Sequence, residues 1–223
     1  MNVFEGLFLT SEQLVFVKKA YFAARKAHQK INHKYDGKYD YFDTHILRTV
    51  HYAMKYIYLV PKEDRHFVLA IQFFHDGIED AHLTYNDIKK AFGFIVAEGV
   101  YACTNEKGRT RKDRANAKYY KGIREAYLAK FVKICDRMGN VHYGIFNSGG
   151  MIDGYIKENE HFINSLKGRD TLWGKFVYWY TMYFNLRTGI NYEPMYTALN
   201  NMFEPGYAER NKDEFNIGDF QWA

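Results

Sequence analysis

The sequence predicts an all-α protein with few strands. Only three prolines occur in 223 residues, and proline is the residue that most strongly interrupts helices. Apolar residues recur at spacings of three and four through most of the chain, which is typical of helices with one buried face. A chain of this length can bury a sizeable core, so residues 1–223 are expected to form one domain.

Composition narrows the classes of partner. The net charge of +5 suits an anionic ligand, but no long block of Lys and Arg suggests a nucleic-acid arm. No run of about eighteen apolar residues exists, so no membrane span is expected. Cys103 and Cys135 lack metal-site spacing and are expected to be reduced core thiols. The N-terminus does not resemble a signal peptide, and we expect a cytoplasmic protein.

The first helix is expected to begin after Thr10, because a glutamine three residues later completes a capping box. Its apolar stripe ends at His28, which is expected to be a hydrogen-bonded core histidine. Polar residues from 30 to 42 then predict a loop with its turn at Asp36-Gly37.

The second helix is expected to be capped by Asp43 or Thr44, which places His45 in its first turn. The helix N-terminus disfavours protonation of an imidazole there, and this leaves a lone pair for a metal. Pro61 is expected to end this helix and open another, buried nearly all round, that runs to about Phe74.

A histidine, an aspartate and two further acidic residues follow that buried helix directly. His75 and Asp76 close it, and Glu79 and Asp80 come within one turn. A charged, solvated turn is the simpler interpretation. Densely packed acids in a buried setting, however, need a cation or a hydrogen-bond network. In a helical turn His75 shares a face with Glu79, and Asp76 shares one with Asp80.

Asp136 is an isolated acid in a strongly apolar helix much later in the chain, and Asn140 lies one turn further on the same face. A lone buried carboxylate is costly without a partner. Together with His45, His75 and Asp76 it makes a set of two imidazoles and two carboxylates. Such a set suits a divalent metal.

A loop between residues 104 and 114 is dense in cations. It is either a solvated basic loop or a phosphate clamp at the mouth of a site, since cations near a metal can neutralise an oligophosphate. Its basic residues are Lys107, Arg109, Arg111, Lys112 and Arg114. Asn147 to Gly150 is expected to be a linker between helices. The remaining helices are expected at about 84–92, 94–103, 112–126, 151–166, 170–187 and 192–203.

The order of these residues resembles the HD superfamily of metal-dependent phosphohydrolases. Residues 75–80 resemble its HDxxED segment, and residues 133–140 resemble its K-L-A-D-R-x-x-N helix. The pattern is similar to the Rel/SpoT hydrolase domain and to the small alarmone hydrolases, which remove the 3′-pyrophosphate from (p)ppGpp using manganese. The resemblance covers roughly residues 12–165 and implies an HD-type helical bundle with a C-terminal helical extension at about 166–223.

The resemblance also implies roles for the residues. His45, His75, Asp76 and Asp136 would bind the metal, with Mn²⁺ favoured and Fe²⁺ or another transition metal as alternatives. Glu79, helped by Asp80, would orient or deprotonate a water. The small-molecule phosphorylated nucleotide would be contacted by Lys34, Asn140, Arg109, Arg111, Lys112, Tyr143 and Tyr155.

Several positions depart from the family pattern. Lys34-Tyr35 stands where the family has Arg-Lys, and lysine keeps the charge but loses the planar guanidinium. Tyr41 and Phe42 replace a proline and a tyrosine before the first metal histidine. Met151 stands where a phosphate-binding arginine is expected. These changes concern the base and the phosphates and leave the metal ligands intact.

Three functions remain open at this level. The first is a 3′-pyrophosphohydrolase of alarmone-like nucleotides. The second is another HD activity, such as a nucleoside 5′-monophosphatase or a 3′-phosphatase on a cofactor such as NADPH, for which fewer cations would suffice. The third is an idle nucleotide- or partner-binding protein, which would not need Glu79 and Asp80. The aromatic C-terminal helices fit either a core or a homo-oligomer interface.

Overall fold

The computed structural model describes residues 9–146 and 150–166, together with residues 176, 180, 181, 183–185 and 187–189. Nearly all of this is helical, which confirms the all-α prediction. The α-helices are Ser11–Lys30 (α1), Leu47–Lys55 (α2), Arg65–Phe74 (α3), Gly77–Asp80 (α4), Tyr85–Phe92 (α5), Phe94–Cys103 (α6), Arg111–Arg114 (α7), Ala117–Glu125 (α8), Ala129–Phe146 (α9) and Met151–Leu166 (α10).

Short elements connect these helices. A π-helix, Phe42–Ile46, leads into α2, and the single-turn 3-10 helices Ile57–Leu59 and Lys62–Asp64 lie between α2 and α3. Of the predicted helix 170–187, only scattered positions are described, and those before Gly189 are helical. The predicted helix 192–203 and residues 147–149 of the linker lie outside the described residues.

Helix α1 begins as the sequence predicts. The Thr10 side chain accepts a hydrogen bond from the Gln13 backbone, and the Gln13 side chain accepts one from the Thr10 backbone. Its buried stripe packs against α3. His28 is buried at the end of this stripe, where its Nδ1 lies 3.1 Å from Nδ1 of His33. The capped helix therefore supplies one wall of the core.

The predicted polar loop forms a small antiparallel hairpin, Lys34–Tyr35 (β1) and Tyr39–Asp40 (β2). Asp36 and Gly37 make its turn with φ angles of 54° and 69°, which confirms the turn at this dipeptide. Neighbouring residues of a strand point to opposite sides. Tyr35 is accordingly buried and Lys34 is exposed.

The predicted start and end of the second helix are wrong. Neither Asp43 nor Thr44 caps it, because the π-helix already begins at Phe42 without a side-chain cap. Asp43 pairs instead with Arg25 at 2.9 Å. The helix also ends at Lys55, well before Pro61, and the 3-10 helix Ile57–Leu59 lies between them.

Helix α3 is central and packs against α1, α2, α6 and α9. Every residue from Val68 to Phe74 is buried, as predicted, and the helix delivers His75 at its C-terminal end. Helix α9 approaches α2 closely at Gly139, where a Cβ atom would lie 2.9 Å from Cγ2 of Thr49. This close packing brings Asp136 next to His45.

The helix predicted over residues 112–126 is divided. Thr110 caps α7, and Asn116 starts α8 by accepting hydrogen bonds from two backbone N–H groups, at Lys118 and Tyr119. Asn116 favours capping over continuation, because its side chain competes with the helical backbone. Arg111 and Arg114, at the two ends of α7, line the cavity described below.

Two other expectations concern burial. Cys103 and Cys135 are free and buried, as predicted. In the part of the chain that the structure describes, no helix is long and apolar enough to cross a bilayer. The cytoplasmic location and a homo-oligomeric state stay predictions.

Candidate metal centre and active site

Four predicted metal ligands converge at one end of a cavity. His45 comes from the π-helix, His75 and Asp76 follow α3, and Asp136 comes from the middle of α9. The Nε2 atom of His45 lies 3.1 Å from Oδ2 of Asp76 and 3.4 Å from Oδ1 of Asp136. The corresponding distances from Nε2 of His75 are 3.2 and 3.6 Å. Residues far apart in the sequence thus form one buried cluster.

The arrangement of His75 fits a metal ligand. Its Nδ1 donates a hydrogen bond to the carbonyl oxygen of Gln72 at 2.8 Å, and this bond fixes the ring orientation. Its Nε2 is buried and makes no well-oriented hydrogen bond, although Asp76 is close. The ligand atoms of His45, His75 and Asp76 all lie within 4.8 Å of one another. The set therefore suits a divalent cation.

The cluster is strongly coupled electrostatically. Burial alone would raise the pKa of both carboxyl groups, but His75 next to Asp76, and Lys133 next to Asp136, hold each pKa well below its usual range. Burial would lower the pKa of His45, yet hydrogen bonds to Asp136 and Asp76 raise it. The expectation that protonation of His45 is disfavoured is therefore not met, because the two neighbouring carboxylates favour its protonated form.

Two tyrosines that replace residues of the family pattern surround the ligands. The Tyr41 hydroxyl donates to Oδ2 of Asp76 at 2.7 Å, and its ring stacks on His33 with 3.7 Å between centroids. The Tyr35 ring lies parallel to His45 at 5.2 Å. Sequence reasoning did not assign a role to either tyrosine. The two departures from the pattern were the available signal.

Asp136 is held by two neighbours on its own helix. Lys133 Nζ lies 2.7 Å from its Oδ2, and Asn140 Nδ2 donates to its Oδ1 at 2.7 Å. Asn140 also accepts from the Tyr35 hydroxyl at 2.9 Å. Both polar atoms of the Asn140 amide are thus engaged, so this residue positions the ligand carboxylate. Lys133 was not singled out, although its spacing of three residues from Asp136 is the signal that reveals it.

The cavity beside the cluster has a volume of about 230 Å³ and a mainly polar lining. Eight predicted site residues line it: His45, Asp76, Glu79, Asp80, Arg111, Asp136, Asn140 and Tyr155. His75 is buried behind Asp76. Four predicted substrate contacts do not line it: Lys34, Arg109, Lys112 and Tyr143. Lys34 points away because strand alternation gives the inward position to Tyr35.

The two candidate proton carriers differ. Asn105 holds the exposed Glu79 with its side-chain amide at 3.0 and 3.1 Å from the two carboxylate oxygens. Burial, with the nearby charges of Asp76 and Glu79, raises the pKa of Asp80 to about 7. Glu79 is thus positioned by a hydrogen-bond partner, while Asp80 has the pKa of a group that exchanges protons near neutral pH.

The cavity wall also carries basic side chains. Arg111 donates two hydrogen bonds of 2.8 Å to the carboxylate of Glu158, and Arg137 also bonds to that carboxylate. Both guanidinium groups lie over the Tyr155 ring, at 4.9 and 4.6 Å. Arg114 lines the cavity too. Glu158 and Arg137 were not predicted as part of the site.

Comparison with known proteins agrees with this picture. No protein-family model matches the chain. Over 74 residues, 33% of this chain, it is 27% identical to guanosine-3′,5′-bis(diphosphate) 3′-pyrophosphohydrolase MESH1 of Drosophila melanogaster. That match covers 41% of the relative, so the chain spans about two fifths of its length.

A solved structure supports the fold over a longer range. It belongs to a metazoan ortholog of SpoT, described as hydrolysing ppGpp and playing a role in starvation responses. It matches with a TM-score of 0.59 and 17% identity, covering 82% of this chain and 99% of that one. The HD-type helical fold that the motifs indicate is therefore confirmed.

Proposed function

We propose that this chain is a metal-dependent nucleotide pyrophosphohydrolase that removes the 3′-pyrophosphate from (p)ppGpp-like nucleotides. One observation carries the proposal: His45, His75, Asp76 and Asp136 converge beside a polar cavity whose lining also carries basic side chains. The two similar proteins bear names or descriptions that specify ppGpp hydrolysis. The cavity of this chain offers the groups that such a reaction needs.

The two imidazoles and two carboxylates would hold one divalent ion. Mixed nitrogen and oxygen ligands suit Mn²⁺ or Fe²⁺, and Mn²⁺ is our proposal. When bound, such an ion lowers the pKa of a coordinated water and polarises a phosphoryl oxygen. Tyr41, Lys133 and Asn140 orient the two carboxylates for this task.

Proton transfer falls to the acids of α4. Glu79, fixed by Asn105, would orient the attacking water by accepting one of its hydrogen bonds. Asp80, with a pKa of about 7, can take up a proton and return it at neutral pH. The basic wall would balance the charge of the phosphates, with Arg111 and Arg114 nearest to solvent.

The hairpin favours a second candidate, another HD phosphohydrolase acting on a different phosphorylated nucleoside. Tyr35 occupies the inward position on the hairpin and engages both His45 and Asn140. Lys34, the remaining basic residue of the family pair, is exposed. The basic pair of the family pattern is therefore not presented at the hairpin, and this difference applies equally to a cofactor such as NADPH.

Product analysis tests the proposal. Purified protein with Mn²⁺, and with chelator, is incubated with ppGpp, its adenine counterpart, NADPH and simple mononucleotides. Metal-dependent release of pyrophosphate from a 3′-diphosphate nucleotide is the expected result. Orthophosphate release from NADPH or a mononucleotide would support the second candidate instead. Absence of turnover on every compound would contradict both and leave a binding protein.

A further inference from the structure

Glu158 lies in the cavity wall between two arginines. Its carboxylate receives both hydrogen bonds of the Arg111 fork at 2.8 Å and also bonds to Arg137. A guanidinium binds a carboxylate and a phosphate with the same two-pronged geometry. Glu158 therefore occupies the face of Arg111 that a phosphate group would use.

The two arginines are held very differently. The Arg137 side chain is 7% exposed and lies over the rings of Tyr155 and Phe162, at 4.6 and 4.3 Å. The Arg111 side chain is 57% exposed and comes from a helix of only four residues. More than half of the Arg111 side chain is thus open to water and to other anions, whereas Arg137 is enclosed by rings. Arg111 can therefore change partner while Glu158 keeps its bond to Arg137.

We propose that Glu158 is a built-in competitor for Arg111, which a substrate must displace, so that the pair selects ligands by phosphate charge. A pyrophosphate group carries more charge than an orthophosphate group and is the better competitor. Arg111 would then act as a movable arm. This inference rests on the proposed function for its choice of ligand.

Direct binding of inorganic anions tests the inference without turnover. Pyrophosphate and orthophosphate are titrated calorimetrically into the metal-free full-length protein with chelator at low ionic strength. We expect Glu158→Gln to bind pyrophosphate roughly five- to tenfold more tightly than the unmodified chain and to discriminate less against orthophosphate. Arg111→Gln should weaken pyrophosphate binding several-fold. The matched control is Lys26→Gln, which removes one exposed positive charge on α1, outside the cavity lining, and should change nothing.

The double variant separates competition from general charge. If Glu158 acts by occupying Arg111, the Glu158→Gln change should bring no gain once Arg111 is Gln. An equal gain in both backgrounds, or no gain in either, would overturn the inference. Since Glu158→Gln also deprives Arg137 of its counter-charge, Glu158→Asp is measured in parallel. The shorter acid keeps the charge and cannot reach both arginines, so it should shift binding in the same direction.

The outcomes also separate this inference from the proposed function. If nucleotides are hydrolysed but both Glu158 variants bind pyrophosphate like the unmodified chain, the inference is wrong and the function stands. The opposite result is that no nucleotide is hydrolysed, while the Glu158 variants bind pyrophosphate more tightly only when Arg111 is present. In that case the inference stands and the proposed function is wrong.

Discussion

The two ends of the cavity are built on different principles. At the metal end, His45, His75 and Asp136 are each at most 5% exposed, and each charge has a neighbour that offsets it. At the mouth, Arg111 is more than half exposed and its charge is matched by one acid from α10. Buried charges cannot be left without partners, whereas exposed ones exchange partners at little cost. The metal end is therefore a fixed element, and the mouth is where specificity can change.

The largest effect is expected where a ligand is removed. Asp136→Ala and Asp76→Ala should lose Mn²⁺ binding and turnover together, with activity lower by on the order of a thousandfold or more, since each carboxylate belongs to the fixed cluster. Calorimetric titration of Mn²⁺ and a pyrophosphate-release assay measure the two losses. A variant that stayed active without binding metal would show that the reaction does not depend on a metal held by these carboxylates.

Glu79 lies between the two ends, and its replacement should separate binding from turnover. Glu79→Ala should retain the metal, because its carboxylate is held by Asn105 and is not one of the proposed ligands. Turnover should fall by roughly 10²- to 10³-fold, which is the usual contribution of a proton-transfer group to the rate. Titration of metal into this variant, compared with Asp76→Ala, tests the separation. Full activity would show that the assigned role is wrong.

The buried His28, which lies beside His33, predicts an effect of pH on the stability of the folded protein. Burial lowers the pKa of His28 from 6.5 to about 4, so the folded state keeps its imidazole neutral while the unfolded chain takes up a proton below about pH 6.5. Stability should therefore be full above that pH and fall towards pH 4, by about 2 kcal/mol at pH 5.

Urea unfolding of the unmodified chain and of His28→Asn at pH 7 and pH 5 measures this contribution. The difference in unfolding free energy between the two pH values should be smaller in the variant by about the same amount. His142, whose pKa burial also lowers to about 4, stays in both proteins and cancels in the comparison. An identical pH dependence in both proteins would mean that His28 is not held neutral.

A smaller effect is expected from the hydroxyl that supports Asp76. Tyr41→Phe keeps the ring stack and removes one hydrogen bond, so Mn²⁺ affinity should fall roughly tenfold. Tyr39→Phe is the matched control, because that ring is half exposed on the same hairpin. Equal Mn²⁺ affinities in the two variants would mean that metal binding does not depend on the hydrogen bond from Tyr41 to Asp76.

The smallest effects belong to the mouth. Arg114→Ala should raise the KM for a pyrophosphorylated nucleotide about three- to tenfold with little change in kcat, since an exposed cation contributes mainly to charge balance. Lys112→Ala removes a charge from the same helix but outside the cavity lining and should leave KM unchanged. Steady-state kinetics at two salt concentrations distinguishes them. Equal shifts would indicate a diffuse basic surface with no defined mouth.

More of the residues singled out in the sequence come together at the buried cluster than at the mouth, for a physical reason. An acid such as Asp136 is conspicuous within an apolar helix, and the spacing from His75 to Asp80 is local. The pairing of Arg111 with Glu158 joins residues 47 apart, both on surfaces where any charge would be unremarkable. Likewise, a strand of two residues is too short for its alternation to show whether Lys34 or Tyr35 points inward.

The π-helix at Phe42–Ile46 has a consequence for chain length. A π turn is an α turn with one additional residue, and one residue corresponds to about 100° of rotation around the helix axis. The hairpin rings are thereby turned onto Asp76 and His45 while α2 keeps its packing on α9. Apart from the buried Phe42, His45 and Ile46, this segment encodes spacing rather than side-chain chemistry. Asp43 and Thr44 should accept many substitutions, whereas losing or gaining one residue there would misalign the hairpin with the whole bundle.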